Sequence, residues 1–481
     1  MAVWWSVTST HVSEALFAVR PAIEGISAEV WDLAEISLHE VESSQVHVRA
    51  LFDAGFDVRE GVAGVPTAFV AEWSAGTGGA RVGFLSEYDA LPGLGNAAVP
   101  RQEPRADGKT SGHGCGHNLL GAALTGAAIA TKQIMEAEGL EGALRVYGCA
   151  VEETEGAKVF MARDGLFDDL DACLHWHPGP LAAVMNFRLT ATNAIRIEFH
   201  GRTAHAGEEP WKGRSALDAM ELAAHALNLM REHVEPTART HYIYEAAGEA
   251  PNIVPDYSRM LLIVRDADRG RVQATTQWVR EIAQGAALAT QTTATVNHFF
   301  GLHHLLPNTP LAERMQSHLE SVGVPPWTDE EQSFARGCQR ELGIEEKGLA
   351  TSVTPLQPER VAGGSSDVAE ASWKTPTMGI LMPTMPLDVT WHTWPVTACG
   401  GMSIGLRGAL AAAEVLTLTA LDIVTDAKLR ASARADFEQR TAGHEYVSPL
   451  RPEQLRPEGL PAWLTSDGSA GALADLARSV V

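Results

Sequence analysis

The stretch SGHGCGHNLLGAALTGAAIATKQIMEAE, residues 111–138, joins a glycine-rich turn to a long apolar segment with the periodicity of a helix. Short apolar runs lie on either side of it in the chain: RVGFLS at 81–86, LRVYGCAV at 144–151 and DACLHWH at 171–177. Runs of this length and composition are typical of buried strands. Their alternation with helical segments favours an α/β fold built on a largely parallel sheet.

The segment from 190 to about 300 has a different pattern, with strands and helices in the order βαββαβ. This order is typical of a ferredoxin-like α+β unit. A helical pattern at 12–55 precedes the first strands, and helical and strand patterns return after the α+β segment. We therefore predict an α/β domain formed by residues 1–189 and 301–440, interrupted by a smaller domain at 190–300. A proline-rich tail at 441–481 is expected to wrap the surface.

The composition excludes some classes of partner. The 481 residues carry a formal net charge of −23, and such a field repels the phosphates of nucleic acids and anionic membranes. No segment reaches the roughly 18 uninterrupted apolar residues of a membrane helix, and no secretory signal is expected. The five cysteines are odd in number and widely scattered, which suits a reducing compartment. We expect a cytoplasmic protein.

A thiol and an imidazole come directly before the long helix, as Cys115 and His117. The positive end of a helix favours the thiolate form of a nearby cysteine. The glycines at 114 and 116 let the backbone bend closely around an ion. Two such side chains, two residues apart, can chelate one divalent metal ion or bridge two.

Further ligand types follow other strands. Glu152 and Glu153 come after the run at 144–151, where one carboxylate can bind a metal ion while its neighbour acts as the general base on water. His175 and His177 lie in the next strand, and we expect one ring to face the sheet edge and the other the opposite face. His392 lies between two tryptophans much later in the chain. Together these donors predict a metal site at the edge of the sheet.

Seven motifs together resemble the di-metal aminoacylase/carboxypeptidase family of amidohydrolases: GHGCGHNLLGAA, EE after a strand, WHPG, GRTAHA, APNIVPD, SSDVAEASW and WHTW. The branch with a cysteine ligand, which includes hippurate and auxin-conjugate hydrolases, fits best. The resemblance covers about residues 10 to 430. It implies a catalytic α/β domain like that of di-metal exopeptidases and an inserted lid domain that also forms the dimer.

The resemblance also implies roles for single residues. Glu152 becomes the catalytic base, and His205 in GRTAHA stabilises the oxyanion in the partner subunit's active site. Asn252 and Arg265 match positions that hold the carboxylate of the substrate. The implied ligands of two divalent ions, manganese or zinc, are Cys115, His117, Glu153, His177 and His392.

Five acidic or polar residues near these motifs carry separate expectations. Asp89 follows a buried strand and is expected to orient a metal-binding imidazole. Glu87 stands where other branches of the family have a ligating histidine, so we do not expect it to be a ligand. Asp367 is either part of a substrate-pocket loop or a helix N-cap. Thr154 and Glu155 replace glycines that usually follow the paired acids, and we expect their side chains to narrow the space beside the metals.

The leading hypothesis is a metal-dependent amidohydrolase that cleaves the amide bond of an N-acyl or N-aroyl amino acid. A hydrolytic deaminase or a carbamoyl-amide hydrolase acting on a small aromatic compound is the alternative with similar chemistry. An alternative from another class is a non-catalytic partner subunit of a related hydrolase. We expect a homodimer formed through the inserted domain, and a second, related chain is a further possible partner.

Overall fold

A computed structural model describes residues 9–459 of the chain. The first eight residues of the predicted first domain and residues 460–481 of the predicted tail lie outside this range. The helices are α1 Ser9–Leu33, α2 Val41–Asp53, α3 His117–Glu138, α4 Ala157–Arg163, α5 Ala216–Met230, α6 Arg269–Thr290, α7 Thr309–Val322, α8 Asp329–Leu342, α9 Val368–Ser372, α10 Trp394–Gly400, α11 Ser403–Thr425 and α12 Ala427–Thr441. The strands are β1 Asp57–Glu60, β2 Phe69–Ala75, β3 Ala80–Ser86, β4 Gly142–Gly148, β5 Ala172–Gly179, β6 Ala183–Val184, β7 Phe187–Leu189, β8 Ala191–His200, β9 Arg239–Ala246, β10 Tyr257–Asp266, β11 Thr293–Leu302, β12 Arg360–Ala362 and β13 Thr377–Pro383.

The α/β fold class is confirmed, but its main sheet is mixed rather than largely parallel. Seven strands lie in the order β1-β2-β4-β3-β5-β13-β6. Only the central pairs β4–β3, β3–β5 and β5–β13 are parallel. The helices α3 and α4 connect β3 to β4 and β4 to β5, and such crossovers produce parallel neighbours. The pair β1–β2 is joined by a short link, which reverses the chain and makes the pair antiparallel.

The main core forms where α1, α3 and α11 pack together beside the sheet. Helix α11 is long and apolar enough to cross a membrane by composition, but 67% of its most apolar window is buried inside the protein. It contacts α1, α3, α7, β5 and β13, which is the environment of a core helix. No other described helix meets that length and composition.

The inserted α+β unit is confirmed. Its elements follow in the order β8, α5, β9, β10, α6, β11, and the strands form an antiparallel sheet in the order β11-β8-β10-β9. Strand β10 alternates buried and half-buried residues along its whole length, so one face packs on the helices. The domain limits predicted from the sequence stay a prediction, although the smaller sheet itself runs from residue 191 to residue 302.

The predicted helical stretch at 12–55 is two helices with a break at residues 34–40. Ala34 and Leu38 have φ values of 46° and 71°, which a continuous right-handed helix does not allow. Within the break, Ile36 forms a parallel bridge to Ala90. This bridge brings residue 37 next to Asp89 at the end of β3, where Asp89 contributes to the site described below.

The described part of the tail lies against both domains. Gln454 donates from its side chain to the carbonyl of Phe299 in β11 at 2.7 Å. The backbone N–H groups of Glu458 and Gly459 each donate to Glu155 at 2.8 Å. Glu155 is therefore buried by the tail and does not line the cavity beside the paired acids. The expectation that its side chain narrows that space is wrong, because two backbone donors hold the carboxylate elsewhere.

Candidate metal centre

The turn before α3 places a thiol and an imidazole at one end of the helix. Gly116 caps the helix with a φ of 82°, which favours glycine, and a Cβ there would lie 2.8 Å from the side chain of Pro178. His117 is the first helical residue. The Sγ atom of Cys115 lies 3.3 Å from Nε2 of His177, which extends from β5. Two segments far apart in the chain thus bring a thiol and an imidazole nitrogen together.

Asp89 fixes the orientation of two candidate ligands. One carboxylate oxygen lies 2.9 Å from Nδ1 of His117, and the other accepts hydrogen bonds from the backbone N–H of Glu153 at 3.0 Å and from Ser37 at 2.6 Å. Burial raises the pKa of Asp89, but the hydrogen bonds from His117 and Ser37 outweigh it and hold the pKa below its usual value. With Nδ1 donating to this carboxylate, His117 presents the lone pair of Nε2 to the site.

The paired acids lie in a turn after β4. Val151 has a φ of 54°, unusual for a β-branched residue, and its N–H donates to the buried side chain of Glu40 at 2.9 Å. Glu153 approaches Nε2 of His392 at 3.3 Å, and Glu152 lies 3.9 Å from Nε2 of His117. The turn therefore directs both carboxylates to the imidazoles of other segments.

His392 lies in a strained backbone conformation. Its φ is 62°, and its N–H donates to the carbonyl of Gly114 at 2.8 Å. Left-handed backbone at a residue other than glycine costs energy and is concentrated at functional sites. The hydrogen bond ties the HTW segment to the turn that contains Cys115.

The donor set fits divalent metal ions. Three overlapping groups have ligand atoms within 4.8 Å of one another, and their members are Cys115, His117 and His177, then Cys115, Glu153 and His392, then Glu87, His117 and Glu152. Among the described residues, Nε2 of His117 and Oε1 of Glu153 are buried without a hydrogen-bond partner. Such atoms are costly to bury unless something else binds them, and a metal ion satisfies both.

Burial has the largest effect on the pKa of the Cys115 thiol. The pKa of Cys115 is raised by burial and further by Glu153 and Glu152, against the opposing effect of His117. Burial therefore opposes the effect expected of the helix terminus, and the thiolate stays a prediction for this residue. A thiolate at this position depends on the positive charge of a bound ion.

A buried ion-pair cluster lies behind the paired acids and carries no clear sequence signal. Lys158 is fully buried in α4, 2.8 Å from Glu87, and its ammonium also pairs with Asp367. Burial raises the pKa of Glu87, but Lys158 and His117 lower it to about 2. Asp367 occupies the N-cap position of α9 but makes no capping bond, and it accepts from Lys158 instead. The cluster places further buried charge beside Glu152.

The paired acids and the histidines of β5 face one cavity. Burial raises the pKa of Glu152 well above its usual value, and Glu87 acts in the same direction. His175 and His177 both line the cavity, with ring centroids 6.3 Å apart. The expectation that these rings face opposite sides is wrong, because residues two apart in a strand share a face. Burial lowers the pKa of His175 to about 3, so this ring stays neutral.

The cavity has a volume of about 650 Å³, within the usual range for small-molecule sites. Four of the candidate metal ligands line it, and much of the remaining wall is apolar; these four are Cys115, Glu153, His177 and His392. Two short strands, β7 and β12, form a parallel ladder that contributes to this wall. Each of these two strands has only three residues, which is too few to show a periodicity in the sequence. The sequence therefore did not predict this part of the wall.

Two comparisons identify the family. Residues 192–290 match the model of the M20 peptidase dimerisation domain. One of the chains of the p-aminobenzoyl-glutamate hydrolase of Escherichia coli K12 is 34% identical over 476 residues, which cover 93% of this chain and 98% of that protein. The chain belongs to the M20 family. The mouse Xaa-Arg dipeptidase is 28% identical over 78% of each chain. A solved dinuclear metal-binding M20 peptidase from Bacillus subtilis shares the fold, with a TM-score of 0.57 and 17% identity over 85% of this chain and 99% of that one.

The M20 dimerisation domain of this chain carries two predicted site residues away from the cavity. His205 and Asn252 are both exposed, and neither lines the cavity of its own chain. They lie together, because His205 bridges to Ile253 and the carbonyl of Asn252 accepts from Ala206 at 3.0 Å. Nδ1 of His205 accepts backbone N–H groups of residues 207 and 208 at 3.2 and 3.1 Å. A neutral ring in this arrangement carries its proton on the exposed Nε2.

The third predicted residue of this domain reaches the cavity wall. Arg265 in β10 donates to the hydroxyl of Ser365 at 2.7 Å, and Ser365 lines the cavity. Burial lowers the pKa of Arg265 from its usual very high value, and the guanidinium remains charged. Among the described residues, no carboxylate pairs with it. An unpaired arginine beside a cavity is a suitable partner for the carboxylate of a ligand.

Proposed function

We propose that this protein hydrolyses the amide bond of N-acyl amino acids with the help of two divalent metal ions. The observation that carries the proposal is the position of Glu152, which lies beside the candidate ligands His117 and Glu153 and faces the cavity. The chain belongs to a family of hydrolases, and relatives include a hippurate hydrolase of Campylobacter jejuni and an indole-3-acetyl-aspartic acid hydrolase of Enterobacter agglomerans.

The candidate ligands of the two ions, which we propose to be manganese or zinc, are Cys115, His117, Glu153, His177 and His392. When bound, the ions supply Lewis acidity, which makes a water molecule easier to deprotonate and polarises an amide carbonyl. Asp89 holds the imidazole of His117 and the backbone of Glu153 in place. These contacts keep two of the ligands ready for the ions.

Glu152 moves the proton. Its carboxylate takes a proton from the attacking water and gives it to the amide nitrogen, so that the C–N bond breaks and a free amine leaves. Burial and the neighbouring carboxylate of Glu87 raise the pKa of Glu152, which suits a group that must hold this proton between the two steps. A carboxylate of ordinary pKa would release the proton to solvent more readily.

Arg265 and the dimerisation domain complete the proposal. Arg265 holds the carboxylate of the substrate, with Asn252 as a second group. His205 donates from Nε2 to the oxyanion that develops on the carbonyl oxygen. Because His205 and Asn252 do not line the cavity of their own chain, we propose that they serve the site of a partner subunit.

A homodimer through the inserted domain is supported by the free edge of its sheet. Strand β9 lies at that edge, and its Ile243 and Tyr244 are exposed, as are Leu222 and Leu229 on α5. The opposite edge strand, β11, is contacted by Gln454 of the tail. An exposed apolar edge strand is a suitable surface for pairing with a second copy. Five free cysteines support a reducing, cytoplasmic location.

The test is hydrolysis by the chain expressed alone. Hippurate, p-aminobenzoyl-glutamate and N-acetyl amino acids are supplied with added manganese or zinc, and the released amino acid is measured. Glu152→Gln is the matched control. We expect it to keep the metal content of the wild type and to lose on the order of 10²-fold or more in kcat.

Other outcomes separate the alternatives. Release of ammonia from an aromatic amine, or hydrolysis of carbamoyl amino acids alone, would favour the deaminase or carbamoyl-amide hydrolase. No turnover by the chain alone, with activity restored by a second, related chain, would favour a non-catalytic partner. A Glu152→Gln variant within a few-fold of the wild type would contradict the role of Glu152.

A further inference from the structure

The ladder between β7 and β12 directs one arginine into the cavity. In this parallel pair, Arg360 lies opposite Phe187 and Ala362 lies opposite Leu189. All four line the cavity. The sharing of one face follows from the period of two along each strand. Arg360 therefore stands on a wall that is otherwise apolar.

The neighbouring charges lie on the other face of the ladder. Arg188, between the two cavity-lining residues of β7, pairs with Glu359 at 3.0 Å and does not line the cavity. Glu359 also pairs with Arg440 at 2.8 Å. In contrast, Arg360 is exposed to the cavity, and within residues 9–459 no carboxylate lies within 4.0 Å of its guanidinium. The acid next to it in sequence is already bound by two other arginines.

Two unpaired guanidinium groups thus belong to one cavity. Arg265 reaches it through Ser365, and Arg360 projects from the ladder. We propose that Arg360 binds the side-chain carboxylate of the substrate's amino acid, and that the enzyme prefers N-acyl derivatives of glutamate or aspartate. This inference rests on the proposed function and assigns Arg265 to the α-carboxylate.

The chemistry of the wall favours this assignment. A guanidinium binds a carboxylate through two parallel hydrogen bonds, and a neutral amide of the same shape cannot accept both with equal strength. Phe187 and Leu189 leave Arg360 as the charged group on the face of the ladder that lines the cavity. A cationic amino acid, such as the one named in the Xaa-Arg dipeptidases, would meet Arg360 with a like charge.

The experiment compares two substrates of nearly identical shape, N-benzoyl-glutamate and N-benzoyl-glutamine. We expect wild-type kcat/KM to favour the glutamate compound by roughly 10-fold or more, since one charged hydrogen-bonded pair is lost with glutamine. Arg360→Ala should raise KM for the glutamate compound and leave that for the glutamine compound within about twofold. Arg360→Lys should restore part of the preference, because the charge remains.

Two controls keep the result interpretable. Arg188 lies in the same ladder but on the opposite face. The Arg188→Ala variant should therefore retain the preference for the glutamate compound even if the ladder is slightly disturbed. Binding of both compounds to metal-loaded Glu152→Gln, with and without Arg360→Ala, is measured by calorimetry. This measurement does not require turnover.

The proposal is overturned if the Glu152→Gln protein binds the two compounds equally. It is also overturned if Arg360→Ala weakens both to the same extent, because Arg360 would then contact the α-carboxylate that both share. If the protein does not hydrolyse the amide but binds the glutamate compound more tightly than the glutamine compound, the proposed function is contradicted and this inference is supported.

Discussion

Asp89→Asn is the sharpest test of how the metal ligands are held. The wild-type carboxylate accepts from three donors, His117 at 2.9 Å, Ser37 at 2.6 Å and the N–H of Glu153 at 3.0 Å. An asparagine has one acceptor oxygen and one donor group. If its oxygen faces His117, its NH₂ group opposes the N–H of Glu153. If the oxygen faces Glu153, the NH₂ group opposes Nδ1 of His117 and favours the tautomer with a protonated Nε2.

Either orientation therefore disturbs one candidate ligand. Loss of a partner that orients a ligand weakens metal binding by about 10- to 100-fold, or roughly 1.4 to 2.8 kcal/mol. The metal-free variant should also lose stability by about 1 to 3 kcal/mol, because a buried donor is left unsatisfied. Asp89→Asn also removes one negative charge, which further lowers the affinity for divalent cations.

Metal affinity is measured by competition with a chromophoric chelator, and stability of the metal-free protein by urea unfolding. Ser37→Ala is the matched control, since it removes one hydrogen bond from Asp89 and leaves those to His117 and Glu153. We expect its metal affinity to stay within about threefold of the wild type. Asp89→Asn with an affinity within about twofold of the wild type would refute the reasoning, even if its activity were lost.

Three further predictions concern other parts of the molecule. Cys115→Ser should reduce the metal content of the purified protein, because a hydroxyl is a much poorer ligand than a thiolate; an unchanged metal count would exclude the ligand role. Inactive Glu152→Gln and inactive His205→Ala chains, mixed and allowed to exchange subunits, should recover part of the activity; a mixture that exchanges and stays inactive would place His205 outside the partner's site. Burial and the nearby Asp89 raise the pKa of Glu40 from 4.5 to about 8, so the folded state holds a proton that the unfolded chain has lost. The free energy of unfolding should therefore fall as pH rises from 4.5 to about 8. In Glu40→Gln, urea unfolding measured across this range should show a smaller change with pH. The same change with pH as in the wild type would contradict the raised pKa of Glu40.

The inserted domain was predictable because its elements have strong periodicity. Strand β10 alternates along ten residues, and both of its helices carry an apolar face that packs on the sheet. The candidate metal ligands could also be selected from the sequence, since thiols, imidazoles and paired acids after strands are uncommon in other roles. The parallel centre of the main sheet followed from its helical crossovers, but the antiparallel edges depend on short links that sequence patterns do not distinguish.

Other features depend on tertiary contacts that no local pattern encodes. Lys158 occupies a short helix where a lysine usually faces solvent, yet it is fully buried between Glu87 and Asp367. Glu155 is taken out of the cavity by backbone groups more than 300 positions later in the chain. Arg360 faces the cavity only because a three-residue strand pairs with a segment far away in sequence.

The distribution of charge around the cavity differs from that of the whole protein surface. The net charge of −23 concerns the whole surface, and at physiological ionic strength it is screened over about 8 Å. Outside the cavity lining, Asp89 has three donors and Glu87 has Lys158, whereas Glu152 and Glu153 line the cavity at the candidate metal site. Arg265 and Arg360 have no carboxylate partner among residues 9–459. With the proposed ions bound beside Glu152 and Glu153, we expect Arg265 and Arg360 to give the rest of the cavity a positive field that favours an N-acyl amino acid with a second carboxylate.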